Sequence, residues 1–164
     1  MKKMKSLLLA IPVALMALSV VPVTQTGCTT TGGGTNTFNV TAAATAIKAV
    51  LGPLVVYEEN ADPSTVVDFQ TASAALGVLI SNSSTDTAAL SVALQNLGKT
   101  ELVKLAISEA VGLYAIYLGQ AVANGVSQSD TAKVLLQAFK DALDSGVKAQ
   151  TVRVKALRAP VKTK

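Results

Sequence analysis

Side chains suited to catalysis are few in this chain, and their types exclude the commonest mechanisms. The 164-residue sequence has no histidine and one cysteine, Cys28. Serine and cysteine hydrolases use histidine as a general base, and zinc sites draw mainly on histidine and cysteine, so these chemistries lack their usual parts. Paired carboxylates remain, namely Glu58 and Glu59 with Asp62 and Asp68, and Glu101 with Glu109.

Glycosidase-like catalysis would require two of these carboxyl groups to face each other across a cleft. The sequence places them instead at the ends or on the solvent faces of predicted helices. We therefore predict that the protein is not an enzyme and that it has no cofactor and no metal site. Tyr114 and Tyr117 are predicted to be core residues whose hydroxyls reach the rim of the core.

Cys28 follows a long apolar stretch near the start of the chain, MKKMKSLLLAIPVALMALSVVPVTQTGC. Three lysines come first, the apolar segment runs from Leu7 to Val23, and Pro12 and Pro22 interrupt it. A positive end, an apolar segment and a small-residue cleavage site are typical of a secretory signal peptide. The alternative is an uncleaved N-terminal membrane anchor.

Thr26, Gly27 and Cys28 resemble the last three positions of a bacterial lipoprotein lipobox, and Gln25 stands where that family usually has an aliphatic residue. The resemblance implies that Cys28 is lipidated and becomes the new N-terminus, and that acyl chains attach the protein to a membrane. Since Cys28 is the only cysteine, it cannot form an internal disulfide, which favours the same interpretation. The alternative is an incidental thiol beside an ordinary cleavage site.

The composition of the remaining chain favours helices. Half of the residues are hydrophobic and only 4% are aromatic, with alanine, leucine and valine dominant, and alanine and leucine are strong helix formers. We predict an all-α fold, a compact bundle of about five helices. The predicted organisation is a signal peptide over 1–27, a lipidated cysteine and flexible Thr/Gly-rich tether over 28–38, a helical bundle over 39–146 and a basic tail over 147–164.

The predicted helices follow from apolar periodicity and capping residues. They span about 41–57, with a kink or split at Gly52 and Pro53, and about 62–81, 87–97, 100–124 and 128–145. Asp62, Thr100 and Ser127 are the predicted N-terminal caps, and Gly98, Gly125 and Gly146 the predicted stops.

The fourth predicted helix is apolar on all sides, which is typical of a helix in a bundle centre or in lipid. Ser108, Gly112, Ala115, Gly119 and Ala123 form a strip of small side chains along it. Such a strip lets another helix approach closely, in membranes and in soluble cores alike. We expect a central helix of a soluble bundle, because its uninterrupted apolar stretch is shorter than the roughly twenty residues that span a bilayer.

Charge is divided between an acidic body and a basic tail. Residues 29–146 contain five lysines and all ten acidic residues, a net charge of −5, whereas 147–164 contain six basic residues and no acid.

The tail, predicted as an edge strand or a disordered arm, is either simply solubilising or binds anionic headgroups or an envelope protein. Its candidate binding residues are Lys148, Arg153, Lys155, Arg158, Lys162 and Lys164. It has no aromatic residue for base stacking, and we expect no nucleic-acid binding.

These features predict a non-catalytic envelope lipoprotein with a structural or interaction role, membrane-anchored through Cys28 and facing the periplasm. Thr29, rather than Asp, follows Cys28, which resembles the outer-membrane sorting pattern of Gram-negative lipoproteins. The alternative is a membrane-active protein that inserts helix 100–124 and oligomerises through its small-residue strip. The sequence does not determine the oligomeric state.

Overall fold

The computed structural model describes residues 28–31, 35–97 and 99–158. Five α-helices form the bundle: α1 (Val40–Ala61), α2 (Val66–Ser81), α3 (Thr87–Leu94), α4 (Glu101–Ala123) and α5 (Gln128–Arg158). Short 3₁₀ turns over Pro63–Thr65 and Gln95–Leu97 precede α2 and follow α3. The all-α bundle of about five helices that the sequence predicts is confirmed.

Two short strands precede the bundle, in the segment predicted as a tether. Strand β1 (Cys28–Thr31) pairs antiparallel with β2 (Thr35–Phe38), and Cys28 lies opposite Phe38. Threonine favours extended backbone, and antiparallel pairing satisfies the backbone groups that a tether would leave to water. Phe38 packs into the core with 8% of its surface exposed, which fixes the end of the hairpin against the bundle. Within the segment predicted as a tether, residues 28–31 and 35–38 are thus paired as strands.

Helix α1 is continuous through Pro53, so the predicted split does not occur. Asn39 caps its start by accepting a hydrogen bond from the amide of Ala42. Pro53 cannot donate a backbone hydrogen bond within the helix. Leu51, Leu54 and Val55 on either side of it are buried, and their packing offsets that loss because tertiary burial supplies most of a helix's stability.

The start of α2 agrees with its sequence signals. Asp62 accepts a hydrogen bond from the amide of Ser64 at 2.9 Å, and Pro63 occupies the first position of the 3₁₀ turn that leads into the helix. In the next helical segment, Leu90, Leu94 and Leu97 are all buried, as their spacing predicts. Gly98, the predicted stop, lies outside the described residues.

Both ends of α4 also agree with prediction. The hydroxyl of Thr100 accepts a hydrogen bond from the amide of Val103. At the other end Gly125 has a φ of +69°, in the left-handed region that favours glycine. The amides of Gly125 and Val126 donate to the carbonyls of Val122 and Ala121, which is the Schellman arrangement that closes a helix.

Helix α5, not α4, occupies the centre of the bundle. It packs most extensively against α1 and α2 and also contacts α4. Five apolar side chains at helical spacing form its buried face: Leu135, Ala138, Phe139, Ala142 and Leu143. The expectation that α4 is central is wrong, because one side of α4 has no neighbouring helix in the part of the chain that the structure describes.

The predicted helix stop at Gly146 is also wrong, because α5 continues to Arg158. A glycine inside a helix costs only about 1 kcal/mol, which favourable flanking residues readily offset. Basic residues near a helix C-terminus interact favourably with the helix dipole. Residues 147–158 are thus helical backbone, rather than the predicted edge strand or disordered arm.

Candidate functional site

Cys28, the predicted lipidation site, lies beside the bundle rather than at the end of a loose linker. Its partner in the strand register is Phe38, and paired residues of antiparallel strands have Cα atoms about 5 Å apart. The Phe38 ring packs against Tyr117 of α4, with the ring centroids 6.2 Å apart. Cys28 is therefore held close to the start of α1.

The predicted anion-binding residues are only partly described. Lys148 is exposed on α5 and lines two shallow grooves, one between α5 and α1 and one between α5 and α2. Arg153, Lys155 and Arg158 belong to the helical backbone of α5, whereas Lys162 and Lys164 lie outside the described residues. The structure therefore places four of the six predicted residues on one helix.

A polar network that the sequence analysis missed joins α5 to α2. The buried Ser73 donates to Asp144 Oδ1 at 2.6 Å, and Lys140 Nζ lies 2.6 Å from Asp144 Oδ2. The desolvation of Asp144 opposes its ionisation, but hydrogen bonds from Lys140 and Ser73 outweigh this and lower its pKa. A carboxylate with a lowered pKa is a weak general base for activating a serine. The geometry favours a role in holding α2 to α5.

A second ion pair joins α5 to α1. Lys48 Nζ lies 2.6 Å from Asp141 Oδ2, and Gln137 donates to Asp141 Oδ1 at 2.8 Å. The hydrogen bond from Lys48, followed by that from Gln137, lowers the pKa of Asp141. The four-residue spacing of Gln137 to Asp141 and of Lys140 to Asp144 could have predicted these two contacts within α5. No sequence pattern predicts their partners on other helices.

We expect the two lowered carboxyl pKa values to make the bundle less stable in acid. Asp141 and Asp144 have folded pKa values below 3.8, so they stabilise the fold above the unfolded pKa, and the contribution is lost as the pH falls through the folded value. Urea unfolding midpoints should be nearly constant from pH 5 to pH 7 and decrease below about pH 4. The unfolding midpoint of Asp141→Asn should decrease less steeply with falling pH than that of the wild type. An identical pH dependence in the two proteins would contradict the contribution of Asp141.

Glu58, predicted to lie at a helix end or on a solvent face, is at a helix end but buried. It is 3% exposed, near the end of α1, and its Oε1 accepts a hydrogen bond from the Thr100 hydroxyl at 3.0 Å. Because Thr100 also caps α4, one hydroxyl links the carboxylate to the start of that helix. This hydrogen bond gives the buried carboxyl group a polar partner at the start of α4. Nearby, Lys99 pairs with Asp68 at 2.7 Å.

Replacing Thr100 with valine is expected to destabilise the bundle by about 2 kcal/mol. Valine preserves the shape but removes both the helix cap and the donor to buried Glu58. The measurement is the free energy of unfolding in urea. Thr71→Val is the matched control, since the Thr71 hydroxyl donates only to the carbonyl of Val67 in its own helix. Equal losses in the two variants would show that neither the cap nor the link to Glu58 contributes to stability.

The small-residue strip of α4 lies on the surface of the bundle. A side-chain carbon added at Gly112 or Gly119 would meet nothing within 4 Å. Large apolar side chains border the strip, with Leu105 63%, Ile116 48% and Val122 56% exposed. The structure thus leaves this face of α4 without a helical neighbour among the described residues.

Tyr114 is a core residue, as predicted, and its hydroxyl donates to the carbonyl of Ser84 at 2.6 Å. Burial, with a smaller effect of Asp86, raises its pKa to about 12. Tyr117 is likewise fully buried. Within the described ranges, no group of three or more Cys, Asp or Glu residues is arranged to hold a metal ion.

Three of the described helical segments are long and apolar enough to cross a membrane by length and composition alone: Val40–Glu58, Pro63–Ser81 and Glu101–Ala123. Comparisons with protein-family models, curated proteins and solved structures found no match to this chain. Functional inference therefore depends on the residues and their geometry.

Proposed function

We propose that this protein is a bacterial envelope lipoprotein, attached to a membrane through acyl chains on Cys28 and serving a structural or binding role without catalysis. The observation on which the proposal depends is the lone cysteine directly after a lysine-led apolar stretch and Thr26–Gly27. The hairpin supports it, since strand pairing holds Cys28 opposite Phe38, directly before the first helix of the bundle. In a Gram-negative host, Thr29 after Cys28 favours the periplasmic face of the outer membrane as the destination.

The binding role is supported by the distribution of charge. All six basic residues after Gly146 lie in a segment without acids, whereas the bundle before it has a net charge of −5. Each basic residue near a charged membrane contributes up to about 1 kcal/mol, reduced by salt. The partner in this proposal is an anionic surface, of lipid or of an envelope protein.

The intact mass of the protein extracted from membranes tests the anchor. We expect a chain that begins at Cys28 and has the added mass of a diacylglycerol group. A mass that begins at Met1, or one that begins near Cys28 without lipid, would overturn the proposal.

The exposed strip of α4 favours a second candidate, a membrane-active protein that inserts α4 and oligomerises. Small residues bordered by large apolar ones suit close helix pairing in lipid. In this case Leu105, Ile116 and Val122, exposed in the bundle, would face acyl chains or another copy.

Dye release from phosphatidylcholine–phosphatidylglycerol vesicles distinguishes the two candidates. If α4 inserts, the wild-type protein should release dye, and Ile116→Glu should reduce release at least tenfold, because a charge at mid-helix opposes insertion. Val67→Glu, at an exposed site of α2, is the control. We expect no release by the wild-type protein, as the lipoprotein proposal requires; release that Ile116→Glu abolishes would favour the second candidate.

A further inference from the structure

Helices α1 and α4 run antiparallel, so the start of α1 lies beside the second half of α4. At one end of the pair, Glu58 near the end of α1 accepts a hydrogen bond from Thr100, which caps the start of α4. At the other end, the ring of Phe38, two residues before α1 begins, packs against Tyr117 of α4. Because Cys28 pairs with Phe38 in the hairpin, Cys28 is held beside the second half of α4.

The outer side of this second half of α4 is apolar and exposed. The chain has no charged residue from Ala110 to Ser129, and the charged residues of α4 all lie in its first half. In the part of the chain that the structure describes, no helix packs on the exposed side. An exposed apolar surface of this kind marks a contact site. We call it the α4 face, and six residues form it: Gly112, Ala115, Ile116, Gly119, Val122 and Ala123.

A lipid bilayer is the partner that an anchor at Cys28 brings to this face. A helix that lies at a membrane surface buries its apolar side about 5–10 Å into the boundary between headgroups and acyl chains. The α4 face has no charged side chain to oppose such burial. Residues 29–164 contain 11 basic and 10 acidic residues, a net charge of +1, so the overall charge of the chain neither drives nor prevents the contact.

We infer that the α4 face lies against the bilayer that holds Cys28, with Ile116 and Val122 among the headgroups. This inference deepens the proposed function and rests on it, because the anchor supplies the bilayer. It differs from insertion of α4, since the inner side of the helix stays packed in the bundle, where Tyr114 and Tyr117 are fully buried. The anchored body thus turns one defined side to the membrane.

Quenching of tryptophan fluorescence by brominated phosphatidylcholine tests which side of the bundle meets the bilayer. The chain has no tryptophan, so Ile116→Trp places a single reporter on the α4 face of the lipidated protein in neutral vesicles. Val78→Trp is the control, because Val78 is 59% exposed on α2, which packs on α5 and α3. It also lies near the same end of the bundle, since Ile80 lines a groove with Thr41. Brominated lipid should reduce emission at least twofold from position 116 and leave emission from position 78 nearly unchanged.

A charge on the α4 face tests whether its apolar side chains make the contact. Val122→Glu should remove most of the quenching at position 116, because a carboxylate opposes burial among lipid. Val67→Glu makes the same change in charge at an exposed site of α2 and should leave the quenching unaltered. Equal effects of the two substitutions would overturn the inference.

Three other results would also overturn it. Quenching that is absent, or equal at positions 116 and 78, would show that the bundle does not turn the α4 face to the bilayer. Blue-shifted emission from position 116 that brominated lipid does not quench would show that a second copy of the chain covers the face. Quenching that appears only with phosphatidylglycerol would show that the six basic residues after Gly146 bring the body to the bilayer instead.

The intact mass separates failure of this inference from failure of the proposed function. If the mass shows lipid on Cys28 and position 116 is not quenched, the anchor is right and the inference is wrong. If it shows no lipid, the proposed anchor is wrong. The same variants of the full-length chain, coupled through the Cys28 thiol to a maleimide phospholipid, then still test the α4 face.

Discussion

Replacing Cys28 with serine is expected to reduce fatty-acid incorporation into this protein to background. Serine is close in size but provides no thiol for the thioether bond, and the chain has no other cysteine to take its place. Each buried methylene contributes about 0.8 kcal/mol, so one acyl chain gives marginal membrane binding whereas two or three give firm attachment. The measurement is incorporation of a labelled palmitate analogue in growing cells, with the intact mass determined in parallel.

A matched variant strengthens this test. Gln25→Leu introduces the aliphatic residue typical of the lipoprotein family, and we expect it to keep or increase the labelled fraction. If Cys28→Ser incorporates as much label as the wild type, the labelled acyl chains are not attached at Cys28.

Replacing Phe139 with alanine is expected to lower the free energy of unfolding by about 3–5 kcal/mol. The Phe139 side chain is fully buried on α5, and its ring meets Tyr114 edge-on with centroids 6.2 Å apart. The substitution removes that contact and leaves a cavity in the centre of the bundle. Since small domains are stable by only about 5–15 kcal/mol, such a loss would be visible in a urea transition.

Val134→Ala is the control for this prediction, because Val134 is on the same helix but largely exposed. We expect its effect to remain within about 0.5 kcal/mol. Comparable losses in the two variants would contradict the placement of Phe139 at the core of the bundle.

Much of the secondary structure could be predicted because its signals are local. Asp62 with Pro63, Thr100, and Gly125 act within a few residues of their own positions, so the chain specifies these helix ends without knowledge of its neighbours. Gly146 shows the limit of such signals. Glycine ends α4 at Gly125 but lies inside α5 at Gly146. Flanking residues and packing can offset the small loss of stability that a glycine causes within a helix.

The candidate site was less predictable than the helices. Cys28 and the basic residues are visible in the sequence, since a lone cysteine and a segment of one charge sign need no partner to be recognised. The pairs that join helices span large sequence separations, 93 residues for Lys48 with Asp141 and 71 for Ser73 with Asp144. No local pattern indicates which residue across the chain will complete such a pair.

The sequence by itself determined the helical class, most helix boundaries and the division of charge, because periodicity, capping and composition act over short distances. Only the tertiary structure decided that α5 is central, that Glu58 is buried and that the strip of α4 is exposed. Because α4 is apolar on all sides, its sequence does not specify which side is buried. The positions of the neighbouring helices determine this. Helix α5 is central because its buried face packs against α1 and α2, and such long-range burial is not visible in any local pattern.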